Sequence, residues 1–271
     1  MKKTADLLNS QYGIRSVKGK WLYGMSFFPT RAFILNPAPC SGILVIDTCG
    51  PGSGRIIADA IRDAGMSPAD ITGIALTHWH RDHTGGLGEL ISIAQSEGCG
   101  KIKVFIHKSD SGFLKNGRGA FLRIHPLLKI PLYHRPGRLP GPEKIELVEL
   151  DQNSADNPLK QWGVEFLHLP GHTPGNSSFY HSESGSLFSG CGLTLFGKST
   201  AGIVPVFYNR SMQIESAKRL MDLDFNYLYP AHINLRKDPL PREKRIPFTG
   251  KIPPVDRITG TLPLFRYGRP E

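Results

Sequence analysis

Hydrophobic positions along the chain follow two alternating rhythms. Short apolar runs, Ile43-Leu44-Val45-Ile46, residues 71–76 and Val104-Phe105-Ile106, predict strands buried on both faces. Between them apolar residues recur at helical spacing. Ile56, Ile57, Ala60, Ile61 and Ala64 form one such set, ended by Gly65; Leu87, Leu90, Ile91 and Ala94 form another. Further strands are expected at residues 14–23, 31–36, 146–150, 163–169, 177–182, 186–189 and 227–229, and a further helix at residues 211–222. Strands and helices mixed in this way predict stacked sheets flanked by helices.

The rhythm breaks at residues 107–143. Five prolines fall between residues 126 and 142, which suggests a basic insertion or lid rather than a regular layer. His125, Tyr133 and His134 lie in it and either reach a site or stay on the surface. From Pro239 onward seven prolines occur in 33 residues, so residues 236–271 are expected to wrap a single domain of residues 1–271 as an extended tail.

Charge adds a weaker signal. The formal net charge is +10. Residues 101–145 hold ten Lys and Arg against Asp110 and Glu143, and residues 233–271 hold nine against four acids. Such segments frame an anionic substrate or a nucleic-acid backbone, or simply form a solvated basic surface. No apolar run reaches the roughly 18 residues of a membrane-spanning helix, and Met1–Ser10 has no apolar core of a signal peptide. A cytoplasmic protein with no membrane partner is expected. None of Cys40, Cys49, Cys99 and Cys191 forms a Cys-x-x-Cys pair, so four free thiols are expected.

The chemistry concentrates in Thr77-His78-Trp79-His80-Arg81-Asp82-His83, directly after an apolar strand. Four metal-capable side chains within six residues cannot share one helical face. They suit a tight loop at a strand end that folds ligands onto one or two cations, and imidazole with carboxylate suits Zn²⁺, Mn²⁺ or Fe²⁺. Three later positions also follow strands and lie among small or turn-forming residues: His172 in Leu169-Pro170-Gly171-His172-Thr173-Pro174-Gly175, Cys191 in Phe188-Ser189-Gly190-Cys191-Gly192, and His232 in Tyr229-Pro230-Ala231-His232. Trp79 and Arg81 alternate with the ligands and are expected to point away. His168 and His181 receive no role.

These motifs, in this order from residue 30 to residue 235, resemble the metallo-β-lactamase-fold hydrolase superfamily. The resemblance implies a four-layer αββα sandwich with a dinuclear site between the sheets. It implies that His78, His80 and His172 hold one metal, that Asp82, His83 and His232 hold the other, and that Asp47 hydrogen-bonds around the metal loop. Two zinc ions are the expected cofactors, with manganese or iron as alternatives. The chain departs from the family at Cys191, where a bridging Asp is usual. Cys191 either ligates or bridges a metal, stands by beside a weakened second site, or is an altered position.

The mechanism implied is attack by a metal-activated hydroxide, with Asp82 orienting the nucleophile as the catalytic side chain. The substrate expected is a small-molecule ester, thioester or lactone, β-lactams included, with an anionic group attracted by the basic insertion. Two alternatives stand beside it: a phosphodiesterase or RNA-processing nuclease, and a weakly catalytic metal-binding protein with an impaired second site.

Overall fold

A computed structural model describes residues 12–20, 30–37, 42–122, 132–196, 200–204, 206–232 and 240–241. Two mixed sheets face each other. The first contains β1 (Arg15–Lys18), β2 (Arg31–Leu35), β3 (Ile43–Ile46), β4 (Ile71–Ala75), β5 (Ile102–His107) and β8 (Ile145–Leu150), in that spatial order. From β3 to β8 neighbouring strands run parallel; β1–β2 and β2–β3 are antiparallel. The crossover segments are α1 (Gly54–Asp63), the short α2 (Arg81–Thr84) followed by α3 (Leu87–Ser96), and a stretch holding α4 (Lys108–Asn116) and the hairpin β6 (Ala120–Leu122) with β7 (Leu132–His134).

The second sheet has the order β15-β14-β11-β10-β9, built from β9 (Val164–His168), β10 (Ser177–His181), β11 (Ser186–Gly190), β14 (Tyr227–Pro230) and β15 (Leu240–Pro241). A small hairpin, β12 (Thr194–Phe196) with β13 (Thr200–Gly202), and the helix α5 (Arg210–Asp222) connect β11 to β14.

Period-2 alternation sorts the strand residues into layers. Val45, Ile74, Val104 and Ile106 face outward onto Ile57, Ile61, Leu87, Leu90 and Ile91 of α1 and α3. Their neighbours Leu44, Ile46, Ala75 and Phe105 face inward and meet Phe179, Phe188 and Tyr229 of the second sheet. On that sheet's outer face Leu187 and Leu228 pack against Ala217 and Leu220 of α5. The result is the expected αββα order. Phe33 of β2 joins the layers, its ring centroid 5.1 Å from Phe188 and 5.6 Å from Tyr229.

Two local differences from the sequence expectation have physical causes. Ile56 belongs to the apolar repeat of α1 yet is 37% exposed, because the helix turns Ile57, Ala58 and Ile61 to the core. Residues 108–116, placed in the insertion, form the regular helix α4. Its buried side includes Asp110 and Ser111 beside Leu114, so it carries no apolar repeat to mark it. Of the expected tail, Leu240–Pro241 pairs antiparallel with β14, and the remainder and His125 lie outside the described residues. Nothing is described of the side chains of Tyr133 and His134 on β7. Among the described residues no helix is long and apolar enough to cross a membrane.

The inter-sheet layer is tight at Gly73 of β4. A Cβ there would stand 2.7 Å from Cη2 of Trp162, whose indole Nε1–H donates to the Gly42 carbonyl at 3.2 Å. Overpacking a filled core costs about 1–3 kcal/mol. Gly73→Ala should therefore lower the thermal midpoint by several degrees in a calorimetric scan; an unchanged midpoint would show that Trp162 is free to move aside.

Candidate metal centre

Parallel strands β3, β4 and β5 end on the same edge of the first sheet, and each is followed by polar residues. Asp47 follows β3, the segment Thr77–His83 follows β4, and Asp110 sits in the first turn of α4 after β5. The second sheet presents the β9–β10 turn with His172, Cys191 after β11 and His232 after β14 to the same region. The Ser177 N–H donates to the Thr77 carbonyl at 2.8 Å, tying the two edges together.

The structure brings all seven expected ligands into one buried cluster. Three overlapping groups have ligand atoms within 4.8 Å of one another: His78, His80 and His172; Asp82, His83 and His232; and His78, His83 and Cys191. His78 Nε2 and His172 Nε2 are 3.1 Å apart, and His83 Nε2 lies 3.4 Å from both His232 Nε2 and Cys191 Sγ. Asp82 Oδ2 is 3.6 Å from His232 Nε2 and 3.8 Å from His83 Nε2. Trp79, expected to point away, stacks at 4.4 Å on Phe113 of α4. His168 stacks on His107 at 3.8 Å, and His181 bonds Ser184.

Hydrogen bonds fix which nitrogen three of the imidazoles offer. The His172 Nδ1–H donates to the Val206 carbonyl at 2.7 Å. The His83 Nδ1–H donates to Asp47 Oδ2 at 2.7 Å. Thr77 Oγ1 gives its single proton to Asp47, at 2.8 Å from Oδ2, and so accepts the His78 Nδ1–H at 3.0 Å. With Nδ1 tied up in this way, a ring in its neutral form can present only its Nε2 lone pair to the cluster. Lone pairs facing one another at 3.1 Å repel unless a cation lies between them, so the donor set fits a bound metal.

Asp47 organises this arrangement from a left-handed backbone conformation, φ 57°, that non-glycine residues seldom adopt. Its carboxylate accepts from the Thr77 N–H at 2.8 Å, the Thr77 hydroxyl and His83, as expected of a residue supporting the metal loop. The backbones of two cluster residues are also held: Thr30 Oγ1 donates to the Asp82 carbonyl and Thr194 Oγ1 to that of His232.

Charges in the cluster are strongly coupled. Burial and then the neighbouring imidazoles push His78 well below its ordinary pKa, which leaves its ring neutral and able to ligate. Burial opposes charge on Cys191, but His83, His232 and His172 bring the thiol well below its usual range. Burial likewise opposes charge on His83 and His232, and Cys191 outweighs it, so both imidazoles rise. The lowered thiol favours the thiolate, the form that binds metal. Cys49 differs: burial pushes its thiol up to about 12, the Thr30 contact lowering it only partly. Among the described residues Cys49, Cys99 and Cys191 are free thiols; Cys40 lies outside them.

Sequence reasoning missed Thr77, the Val206 carbonyl and Asp110. Thr77 adjoins the motif and was accessible to inspection. A backbone acceptor such as Val206 has no sequence signature. Asp110 was marked only by position, three residues past β5, which runs parallel to β4, the strand that leads into the His78–His83 motif. Burial raises its carboxyl to about 6, and bonds from Thr173, Gly175 and Trp79 work against that rise.

Comparison with known proteins agrees with this architecture. Residues 27–232 match the metallo-beta-lactamase superfamily. The Drosophila melanogaster beta-lactamase-like protein 2 homolog is 27% identical over 217 residues, 80% of this chain and 62% of that protein. An atrochrysone carboxyl ACP thioesterase from Aspergillus fumigatus is 25% identical over 72% of this chain and 36% of its own length. A hydroxyacylglutathione hydrolase from Shewanella loihica is 27% identical over 76% of this chain and 63% of its own length. The chain thus spans less than two thirds of each of these three relatives. The protein TTHA1623, solved in a di-iron-bound form, superposes with a TM-score of 0.55 at 21% identity, covering 86% of this chain and all of that one. With its αββα layers and its clustered metal-ligand residues, this chain belongs to the metallo-beta-lactamase superfamily of metallo-hydrolases.

Proposed function

We propose that this chain hydrolyses a small-molecule acyl compound, a thioester foremost and an ester or lactone by the same chemistry. The observation that carries this is the His78–His172 pair, whose Nε2 atoms meet at 3.1 Å while both Nδ1 protons are committed to the protein. Two relatives are named for acting on thioesters, as an acyl-carrier-protein thioesterase and as a hydroxyacylglutathione hydrolase, which supports the choice of substrate class.

His78, His80 and His172 would hold one divalent ion, and Asp82, His83 and His232 a second. Bound there, the ions would polarise the acyl carbonyl and make a water acidic enough to react near neutral pH. Cys191 stands inside the cluster, its sulfur grouped with the ligand atoms of His78 and His83, which supports a ligand role over a bystander role. Its softness favours zinc.

Asp82 is the carboxylate placed to handle protons. It borders His83 and His232, and its side chain is 12% exposed, so it meets both the cluster and entering solvent. It would orient the attacking water and then carry a proton to the leaving group. Water adds to the carbonyl carbon, the carbon–sulfur bond breaks, one water proton leaves with the thiol, and the other passes to solvent from the new acid. Asp47 would hold His83 in the tautomer that faces the ions.

Two measurements test this. Zinc-loaded protein should hydrolyse an activated acyl thioester, lose turnover on chelation and regain it with zinc. His80→Ala should lower kcat/KM by on the order of 10³-fold or more, the several kcal/mol a Lewis acid supplies. Chelator-insensitive turnover, or turnover of phosphodiesters alone, would contradict the proposal. Separately, the cobalt-loaded protein should show a thiolate-to-metal charge-transfer band that Cys191→Ser removes. The same variant should weaken metal binding by at least the roughly 10–100-fold lost with an outer-shell partner. A band that survives Cys191→Ser would exclude the thiolate as ligand.

A further inference from the structure

Asp110 is a fully buried carboxylate outside the ligand set, and its bonds go to the loops on either side of it. Oδ1 accepts from the Gly175 N–H at 2.7 Å. Oδ2 accepts from the Thr173 hydroxyl at 2.6 Å and from the Trp79 N–H at 3.3 Å. Trp79 lies between His78 and His80 in the chain. Thr173 directly follows His172, and Gly175 lies three residues after it. One carboxylate therefore bonds both segments that deliver the His78–His80–His172 group.

Those two segments belong to different sheets, the first to the end of β4 and the second to the β9–β10 turn. Their separation is not set by either sheet alone. A buried carboxylate costs several kcal/mol unless its acceptors are filled, and here three donors from the two loops fill them. Gly175 fits the same constraint: a Cβ there would stand 2.7 Å from Asp110 Cγ and 2.9 Å from Asp110 N. One turn further along α4, Phe113 stacks on the Trp79 indole at 4.4 Å and 13°, and that indole meets the His80 ring edge-on at 4.6 Å. The helix thus holds the first loop by a ring and both loops by a carboxylate.

We propose that Asp110 is a positioning residue that sets the spacing between the His78–His80 loop and the His172 turn, and so the metal affinity of that three-histidine group. The inference rests on the proposed function, in which this group holds a metal.

The test uses the full chain and reads metal binding rather than turnover. Zinc affinity is measured by competition with a chromophoric chelator, the cobalt form by its d–d spectrum, and the metal-free fold by thermal unfolding. Asp110→Asn keeps the size but places an amide donor against a backbone or hydroxyl donor. It should weaken one zinc site by about 10–100-fold and alter the cobalt spectrum. Ser111→Ala is the control. It removes bonds from the next residue of the same helix to the Lys108 carbonyl and Glu149, away from both loops, and should keep the affinity and spectrum of the unsubstituted chain. Unchanged affinity and spectrum in Asp110→Asn would overturn the inference. So would an equal loss in Ser111→Ala, which would mean that helix stability alone is being read. Should Asp110→Asn fail to fold, Thr173→Val deletes one of the three bonds and should shift affinity and spectrum in the same direction by a smaller amount; no shift would overturn the inference. The unsubstituted chain is titrated first: absence of zinc binding there would overturn the proposed function itself, and the inference with it.

Discussion

The arrangement depends on how three imidazoles dispose of their second nitrogen. His78, His83 and His172 each give the Nδ1 proton to a fixed acceptor, namely the Thr77 hydroxyl, the Asp47 carboxylate and the Val206 carbonyl. That leaves Nε2 as the nitrogen each ring can offer and turns the Nε2 atoms into the cluster. Without these bonds a histidine cluster in the core could relieve its crowding by sharing protons between rings. With them it is pre-formed for a cation, and the cost of holding the rings in place falls on folding rather than on binding.

The sandwich makes this convergence achievable. Parallel strands β3, β4 and β5 place their successors along one edge, while the second sheet brings its own turns to the same edge from the opposite side. Phe33, Phe188 and Tyr229 fill the space behind and fix the sheet separation. The polar contacts between Thr77 and Ser177, and from Asp110 to Trp79, Thr173 and Gly175, then set the fine spacing at the open edge. Apolar packing supplies the frame and directional bonds supply the placement, as expected when a site needs tighter geometry than burial alone can specify.

Much of this was legible in the sequence because its signals are local. The runs at 43–46 and 71–76 have the length and apolar character of buried strands, and the His78–His83 motif compresses four metal-capable side chains into six residues. His172, Cys191 and His232 were marked by the turn residues beside them. What escaped was non-local or carried by backbone. Helix α4 buries Asp110 and Ser111, so hydrophobic periodicity could not reveal it. The Val206 carbonyl has no side-chain identity to recognise. Ile56 matched the apolar repeat of its helix, yet only the orientation of α1 against β3 and β4 shows that it faces solvent. The nature of Cys191 needed the structure too, since its proximity to His83 and His232, rather than its neighbours in sequence, lowers its thiol pKa.

The central claim is that these side chains form a metal centre with nitrogen, carboxylate and thiolate donors. Anomalous diffraction at the zinc edge from zinc-soaked crystals tests it most directly. The account predicts one peak within about 2.0–2.1 Å of the nitrogens of His78, His80 and His172. It predicts a second bounded by Asp82, His83 and His232, about 2.3 Å from Cys191 Sγ. Zinc confined to surface histidines, with neither peak inside the cluster, would contradict it.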